Sequence, residues 1–287
     1  MNETFLCLAQ EYCNSETSRF RILPVPYEGT VCFLGGAAKG PRAILSVSDQ
    51  MEHFDEEMFV DITRSGIATL PAIAPAETPE LQQEQVYSAM KHYELFRSGV
   101  FPIILGGEHG ITPAVVRAAV ESYDKLSVLQ FDAHADLRDA YTGGRYSHAS
   151  AMRRVLDLTP NLVQVGIRSF SAEEFRDHPE RIRRVITPTQ ITRDYTYSLD
   201  RILYSLTENV YITFDIDAFD PAYAPGTGTP EPGGLDWLQV TGILRKVCAV
   251  KNVIGADVVE VAPLGGQNVA TEFLAARLVA KIIAYTL

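Results

Sequence analysis

Asp132, His134 and Asp136 close an apolar run, 126–131, at a spacing of two residues. On an extended chain that spacing turns all three side chains to one face. Two carboxylates and an imidazole held together need something positive between them. Hard oxygen ligands with one imidazole suit a divalent cation. Taken alone, the stretch is explained equally well as a solvated acidic strand end.

Two further runs repeat the pattern. Residues 210–214 end in Asp215 and Asp217, again two apart, and residues 101–105 end in Gly106-Gly107-Glu108-His109. In open α/β sheets, sites form outside the carboxyl ends of the strands. Three such ends can bring His109, Asp132, His134, Asp136, Asp215 and Asp217 to one point, four carboxylates and two imidazoles. Four carboxylates over-neutralise one dication and balance two. Two dications ~3.7 Å apart repel by about 18 kcal/mol at an effective dielectric of ~20, which bridging carboxylates offset. The ligand count therefore argues for a dinuclear site. A fourth apolar run, 256–263, carries Glu260 near its end.

The elements that must position these residues alternate along the chain. Strands are expected at 21–27, 66–73, 101–105, 126–131, 161–167, 185–188, 210–214 and 253–261. Helices are expected at 40–54, 78–97, 112–123, 148–158, 199–206, 236–250 and 270–285, with a charged one after the capping-box pattern Ser171 to Glu174. Gly143-Gly144 reads as a loop, as does the Gly/Pro-rich stretch 221–234. Such alternation predicts a mainly parallel sheet covered on both faces. No linker or repeat interrupts it, so a single domain over 1–287 is expected.

The chain has 287 residues, 46% hydrophobic and 21% charged, with a net charge of −11. That charge argues against nucleic acid or an anionic membrane as partner. Cys7, Cys13, Cys32 and Cys248 lack metal-type spacing and read as reduced thiols. The first residues lack a signal peptide's basic and apolar segments, and no apolar run approaches membrane-spanning length. The expected location is cytoplasmic.

Gly106-Gly107-Glu108-His109, Asp132 to Asp136, Ser147-His148 and Phe214 to Pro221 resemble the signature blocks of the ureohydrolase (arginase/agmatinase) family. The runs from Ala224 to Gly234 and from Tyr141 to Arg154 are similar to its agmatinase branch. The resemblance extends from about Pro26 to the C-terminus. It implies a three-layer α/β/α fold, arginase/deacetylase-like, with two Mn²⁺ ions. By the same resemblance His109, Asp132, Asp136 and Asp215 match the ligands of one ion, and His134, Asp132, Asp215 and Asp217 those of the other. Asp132 and Asp215 would bridge. Carboxylate-rich ligation suits Mn²⁺ better than Zn²⁺.

The implied chemistry is hydrolysis of a small cationic guanidino substrate to urea and a primary amine. Asp136 would orient the attacking hydroxide and take its proton. His148 would shuttle a proton to the leaving amine, and Glu260 would form a bidentate pair with the guanidinium. Agmatine, giving putrescine, is the leading substrate. Aminopropylagmatine, guanidinobutyrate, guanidine or a formimidoylglutamate keep the chemistry with another tail. A deacetylase-like mononuclear zinc hydrolase and a non-catalytic metal-binding homologue are the other classes. Glu108 is expected to support the site rather than to ligate, and His53, His92 and His178 to lie on the surface. The chain departs from the agmatinase branch at Gly110, at Ser150 and at Gly265-Gly266, where Tyr-Asp is usual; the last touches the substrate end. The resemblance also implies a homo-oligomer, a trimer or hexamer.

Overall fold

A computed structural model describes residues 4–142 and 144–287. Gly143 of the expected Gly143-Gly144 loop, and residues 1–3 at the start, lie outside them. In chain order the strands are β1 (Phe20–Val25), β2 (Phe54–Asp55), β3 (Val60–Asp61), β4 (Ile67–Thr69), β5 (Phe101–Gly106), β6 (Ser127–Phe131), β7 (Leu162–Val165), β8 (Asn209–Asp215) and β9 (Asn252–Val259). The α-helices are α1 (Gly40–Ser48), α2 (Pro79–His92), α3 (Thr112–Val120), α4 (Ala151–Leu156), α5 (Ala172–Asp177), α6 (Pro179–Ile182), α7 (Pro188–Arg193), α8 (Tyr195–Ser205), α9 (Trp237–Val250) and α10 (Ala270–Thr286).

β2 and β3 form a small antiparallel hairpin, and the other strands form one parallel sheet in the order β4-β1-β5-β9-β8-β6-β7. Alternate residues of each strand face opposite layers. Ile103 and Leu105 of β5 join one apolar core with α1, α9 and α10, while Ile104 joins the other with α2, α3 and α4. The same alternation separates Ile212 and Phe214 from Tyr211 on β8. The result is the expected three-layer α/β/α arrangement.

Several expected boundaries shift for local reasons. The helix expected to reach residue 54 stops at Ser48, because Phe54 and Asp55 enter the hairpin instead. There Asp55 meets the buried Lys281 of α10 at 2.9 Å. The expected strand at 185–188 is a single bridge, Val165 to Ile186, and Pro188 opens α7 behind the capping box of Thr187 and Gln190. Helix 148–158 begins as a 3₁₀ turn, His148–Ser150. Among the described residues no helix is long and apolar enough to cross a membrane.

What positions the site is the sheet order. β5, β9, β8 and β6 are consecutive neighbours, so the four strand ends singled out in the sequence lie side by side. The chain leaves β5 and returns at β6 with β9 and β8 between them. That reversal opens a crevice outside the carboxyl ends, the usual place for a site in an open α/β sheet.

Candidate metal centre

β6 ends at Phe131, so Asp132, His134 and Asp136 are not on an extended strand. They lie in a loop fastened beside β7, with Asp132 N–H donating to Val165 and Ala135 N–H to Ser169. Asp136 has φ +54°, in the left-handed region that non-glycine residues seldom adopt. Convergence of the three side chains is therefore a property of the loop rather than of strand alternation. Asp215 is the last residue of β8, and Asp217 sits in the 3₁₀ turn Ile216–Ala218 that follows, with its N–H donating to Asp215 Oδ1 at 2.9 Å. Glu260 follows β9 directly with φ +63°. Strain of this kind collects at functional sites, where the surrounding structure holds it.

Two groups of ligand atoms emerge. His109 Nδ1 lies 3.0 Å from Asp132 Oδ2, 3.2 Å from Asp136 Oδ2 and 3.4 Å from Asp215 Oδ2. His134 Nδ1 lies 2.9 Å from Asp217 Oδ2 and 3.6 Å from Asp132 Oδ1. His109, Asp132 and Asp136 form one set with all ligand atoms within 4.8 Å of one another, and Asp132, His134 and Asp217 form a second. Asp132 belongs to both, one oxygen toward each imidazole.

The residues fit a bound dication pair. His109 Nδ1 is buried and close to three carboxylate oxygens, yet has no hydrogen-bond geometry with any of them. A nitrogen so placed is one that a cation shared with those oxygens would satisfy. Backbone and amide donors hold the carboxylates in place. His134 N–H donates to Asp132 Oδ1 at 2.6 Å, Gln130 Nε2 to Asp132 Oδ2 at 2.7 Å and Ala133 N–H to Asp217 Oδ1 at 2.9 Å.

The electrostatics express the same demand for positive charge. Burial opposes a charged His109, but Asp132, Asp136 and Asp215 outweigh it and hold the imidazole well above its ordinary range. His134 is pushed up to about 12 by Asp132 and Asp217 against the same opposition. Burial, then the charge of Asp132, raises Asp136 to about 7. Burial, then Asp217 and Asp132, holds Asp215 well above the carboxylate range. Protons thus gather where cations would relieve the repulsion.

Around this centre lies a cavity of about 320 Å³. Glu260 lines it, half-buried, with Oε1 accepting from His109 N–H at 2.6 Å; desolvation and then Glu108 raise its pKa. His148 lines it too. Thr30 directs its hydroxyl proton to Glu108 Oε2 at 3.1 Å, so it accepts from His148 Nδ1–H at 3.0 Å. That leaves His148 Nε2 facing the cavity, 3.4 Å from Cys32 Sγ. Burial, with the charges of His134 and His109, pushes this imidazole down to about 4. Phe33, Leu34, Tyr141 and Phe170 form an apolar and aromatic wall.

All the residues singled out by spacing and resemblance come together here. Others were missed. Thr30, Cys32 and Phe33 come from a loop with no local pattern. Arg168 ties the segment 228–234 to the centre through the carbonyls of Glu231 at 2.6 Å and Asp217 at 2.8 Å. Gln130, Thr213 and Asp257 did carry a signal, being polar residues inside apolar strands that must find partners when buried.

Comparison with known proteins agrees with this geometry. The arginase family model matches residues 18–284. An N(1)-aminopropylagmatine ureohydrolase of Thermus thermophilus is 39% identical over 269 residues, covering 92% of this chain and 89% of that protein. A Synechocystis protein of the same name is 35% identical over 271 residues, covering 92% and 88%. Among solved structures, the agmatine ureohydrolase of Thermoplasma volcanium superposes with a TM-score of 0.86 at 31% identity, covering 100% of this chain and 94% of that one. A match over nearly the whole length, joined to a His/Asp cluster drawn from the ends of β5, β6 and β8, places the chain in the arginase family.

Proposed function

We propose that the protein is a dimanganese ureohydrolase that cleaves the guanidino group of N(1)-aminopropylagmatine, and of agmatine as the shorter substrate, releasing urea and a primary amine. One observation carries most of the weight. Asp132 turns Oδ2 toward His109 and Oδ1 toward His134, at 3.0 and 3.6 Å, the arrangement a bridging ligand needs. His109, Asp132, Asp136 and Asp215 would hold one ion, and His134, Asp132, Asp215 and Asp217 the other. When bound, such a pair lowers the pKa of water enough for hydroxide to form near neutral pH.

The chain's own residues do the rest. Glu260 accepts the guanidinium in a charge-assisted pair at the buried end of the cavity. Water adds to the guanidinium carbon as the bond to the alkyl-bearing nitrogen breaks, and both water protons finish on that nitrogen. Asp136 takes one of them. His148 delivers the other through Nε2, the nitrogen that Thr30 leaves free.

The ranking of substrates rests on the tail. The relatives at 39% and 35% identity are named for aminopropylagmatine. The aromatic wall suits a polymethylene chain with ammonium groups over ring faces. Arg138 does not oppose it, since its guanidinium lies 5.0 Å over the Tyr141 ring and 3.7 Å from Glu173. A cytoplasmic, single-domain enzyme assembled as a trimer or hexamer completes the proposal.

Urea release by Mn²⁺-loaded protein is the test, across aminopropylagmatine, agmatine, guanidinobutyrate, guanidine and arginine. The expected result is the highest kcat/KM for aminopropylagmatine. Absence of urea from every member refutes the reading.

A further inference from the structure

His109 needs its Nδ1 lone pair free to bind a metal, and the opposite side of its ring decides whether it is. Nε2 lies 2.8 Å from Thr213 Oγ1. The Thr213 hydroxyl has a single proton, and Asp257 Oδ1, an acceptor, lies 2.6 Å away. That proton goes to Asp257, so toward His109 Thr213 can only accept. Nε2 must then carry a hydrogen, and Nδ1 is the nitrogen left for the centre. Asp257 is itself fixed by two more hydroxyls on Oδ2, from Tyr211 at 2.9 Å and Thr112 at 3.0 Å. Every member of the chain is buried, Thr112, Thr213, Tyr211 and Asp257 fully, so water cannot replace a missing partner. The strand register sets it up, because Thr213 of β8 pairs with Asp257 of β9, two residues before the ligand Asp215.

Among the described residues the second imidazole has no counterpart to this. His134 presents Nδ1 to Asp217 and Asp132, while its Nε2 is 3.9 Å from Glu231 Oε1 and its side chain is 27% exposed, within reach of water. We infer that Thr213 and Asp257 are positioning residues that fix the His109 tautomer and so set the affinity of one metal position and not the other. This rests on the two-metal reading above. It adds that the two positions are tuned separately, one by a buried hydroxyl–carboxylate chain and one by solvent.

The experiment is Mn²⁺ titration of the full-length protein, followed by calorimetry and by electron paramagnetic resonance. Two ions in one centre give an exchange-coupled signal, and one ion gives an isolated one. Wild type is expected to take up two ions, and fewer than two refutes the two-metal reading itself before any variant is considered. Thr213→Val removes the acceptor at nearly constant shape. It is expected to weaken one of the two binding steps by about 10- to 100-fold and leave the other unchanged. At limiting Mn²⁺ the coupled signal should give way to the isolated one. Thr213→Ser keeps the hydroxyl and should restore both steps. Asp257→Leu removes the acceptor, frees the Thr213 proton to turn toward His109 and should act like Thr213→Val, so the test survives if the valine variant does not fold. Thr213→Val binding both ions as wild type does, both steps weakening equally, or Thr213→Ser failing to rescue would each overturn the inference.

Discussion

Loading the centre with Mn²⁺ must expel protons, and their number follows from the groups around it. In the metal-free protein His109 is held well above the ordinary imidazole range and His134 is pushed to about 12, so at pH 7.5 both rings are doubly protonated. Each must give up its Nδ1 proton to become a ligand. Asp136, raised to about 7 by burial and then by Asp132, is partly protonated near neutral pH and adds to the count. Asp215, also raised, first by burial and then by Asp217 and Asp132, adds to the count in the same direction. Uptake of two ions is therefore expected to release at least about two protons, and the product of the two binding constants should rise about 100-fold per pH unit. The stability of the metal-free fold moves the other way. All four groups have folded pKa values raised above their unfolded ones. Their contribution is complete below the unfolded values and is lost as pH rises through the folded ones. Above about pH 6.5 that loss amounts to about 1.4 kcal/mol per pH unit for each proton the fold retains and the unfolded chain does not. The gap in Tm between Mn²⁺-loaded and chelator-treated protein should widen from pH 6.5 to 8. Calorimetry in buffers of different ionisation enthalpy counts the released protons directly. A release near zero at pH 7.5, with two ions bound, would show that the imidazoles and carboxylates are not the ligands, and the assignment would fall.

Two substitutions separate chemistry from metal binding. His148→Asn should lower kcat by about 10²- to 10⁴-fold while two Mn²⁺ still bind, because His148 reaches Thr30 and Cys32 rather than the cluster; loss of an ion, checked by metal analysis, would make it a ligand instead. Glu260→Gln keeps a carbonyl able to accept from His109 N–H but removes the charge opposite the guanidinium. A fall of about 10²- to 10³-fold in kcat/KM is expected from a broken buried ion pair, again without change in Mn²⁺ stoichiometry. Unaltered steady-state kinetics would remove Glu260 from the site.

How far the sequence reaches depends on what each residue's neighbours along the chain reveal. An apolar run that stops in Asp, His or Glu is visible locally, as in the runs ending near His109, Asp132, Asp215 and Glu260. Their adjacency was not visible, because the order β5-β9-β8-β6 is set by long-range pairing that no local pattern encodes. The spacing of two at Asp132, His134 and Asp136 points to side chains that do converge, although β6 ends at Phe131 and a loop, not a strand, carries them. The loop that gathers them depends on contacts with Val165 and Ser169, more than thirty residues away. Asp257 is the more instructive case. It stands between apolar residues in the middle of β9, where an unpartnered carboxylate would cost several kcal/mol (about 1–3 even for a single unsatisfied polar group). That penalty alone says that hydroxyl or amide partners must exist on neighbouring strands, and it applies equally to Thr213 on β8 and Gln130 on β6. In a parallel sheet buried on both faces, such residues cannot be decoration. They mark which strand interiors support the groups at their ends, and Thr213 and Asp257 behind His109 are the pair that this penalty singles out in the sequence.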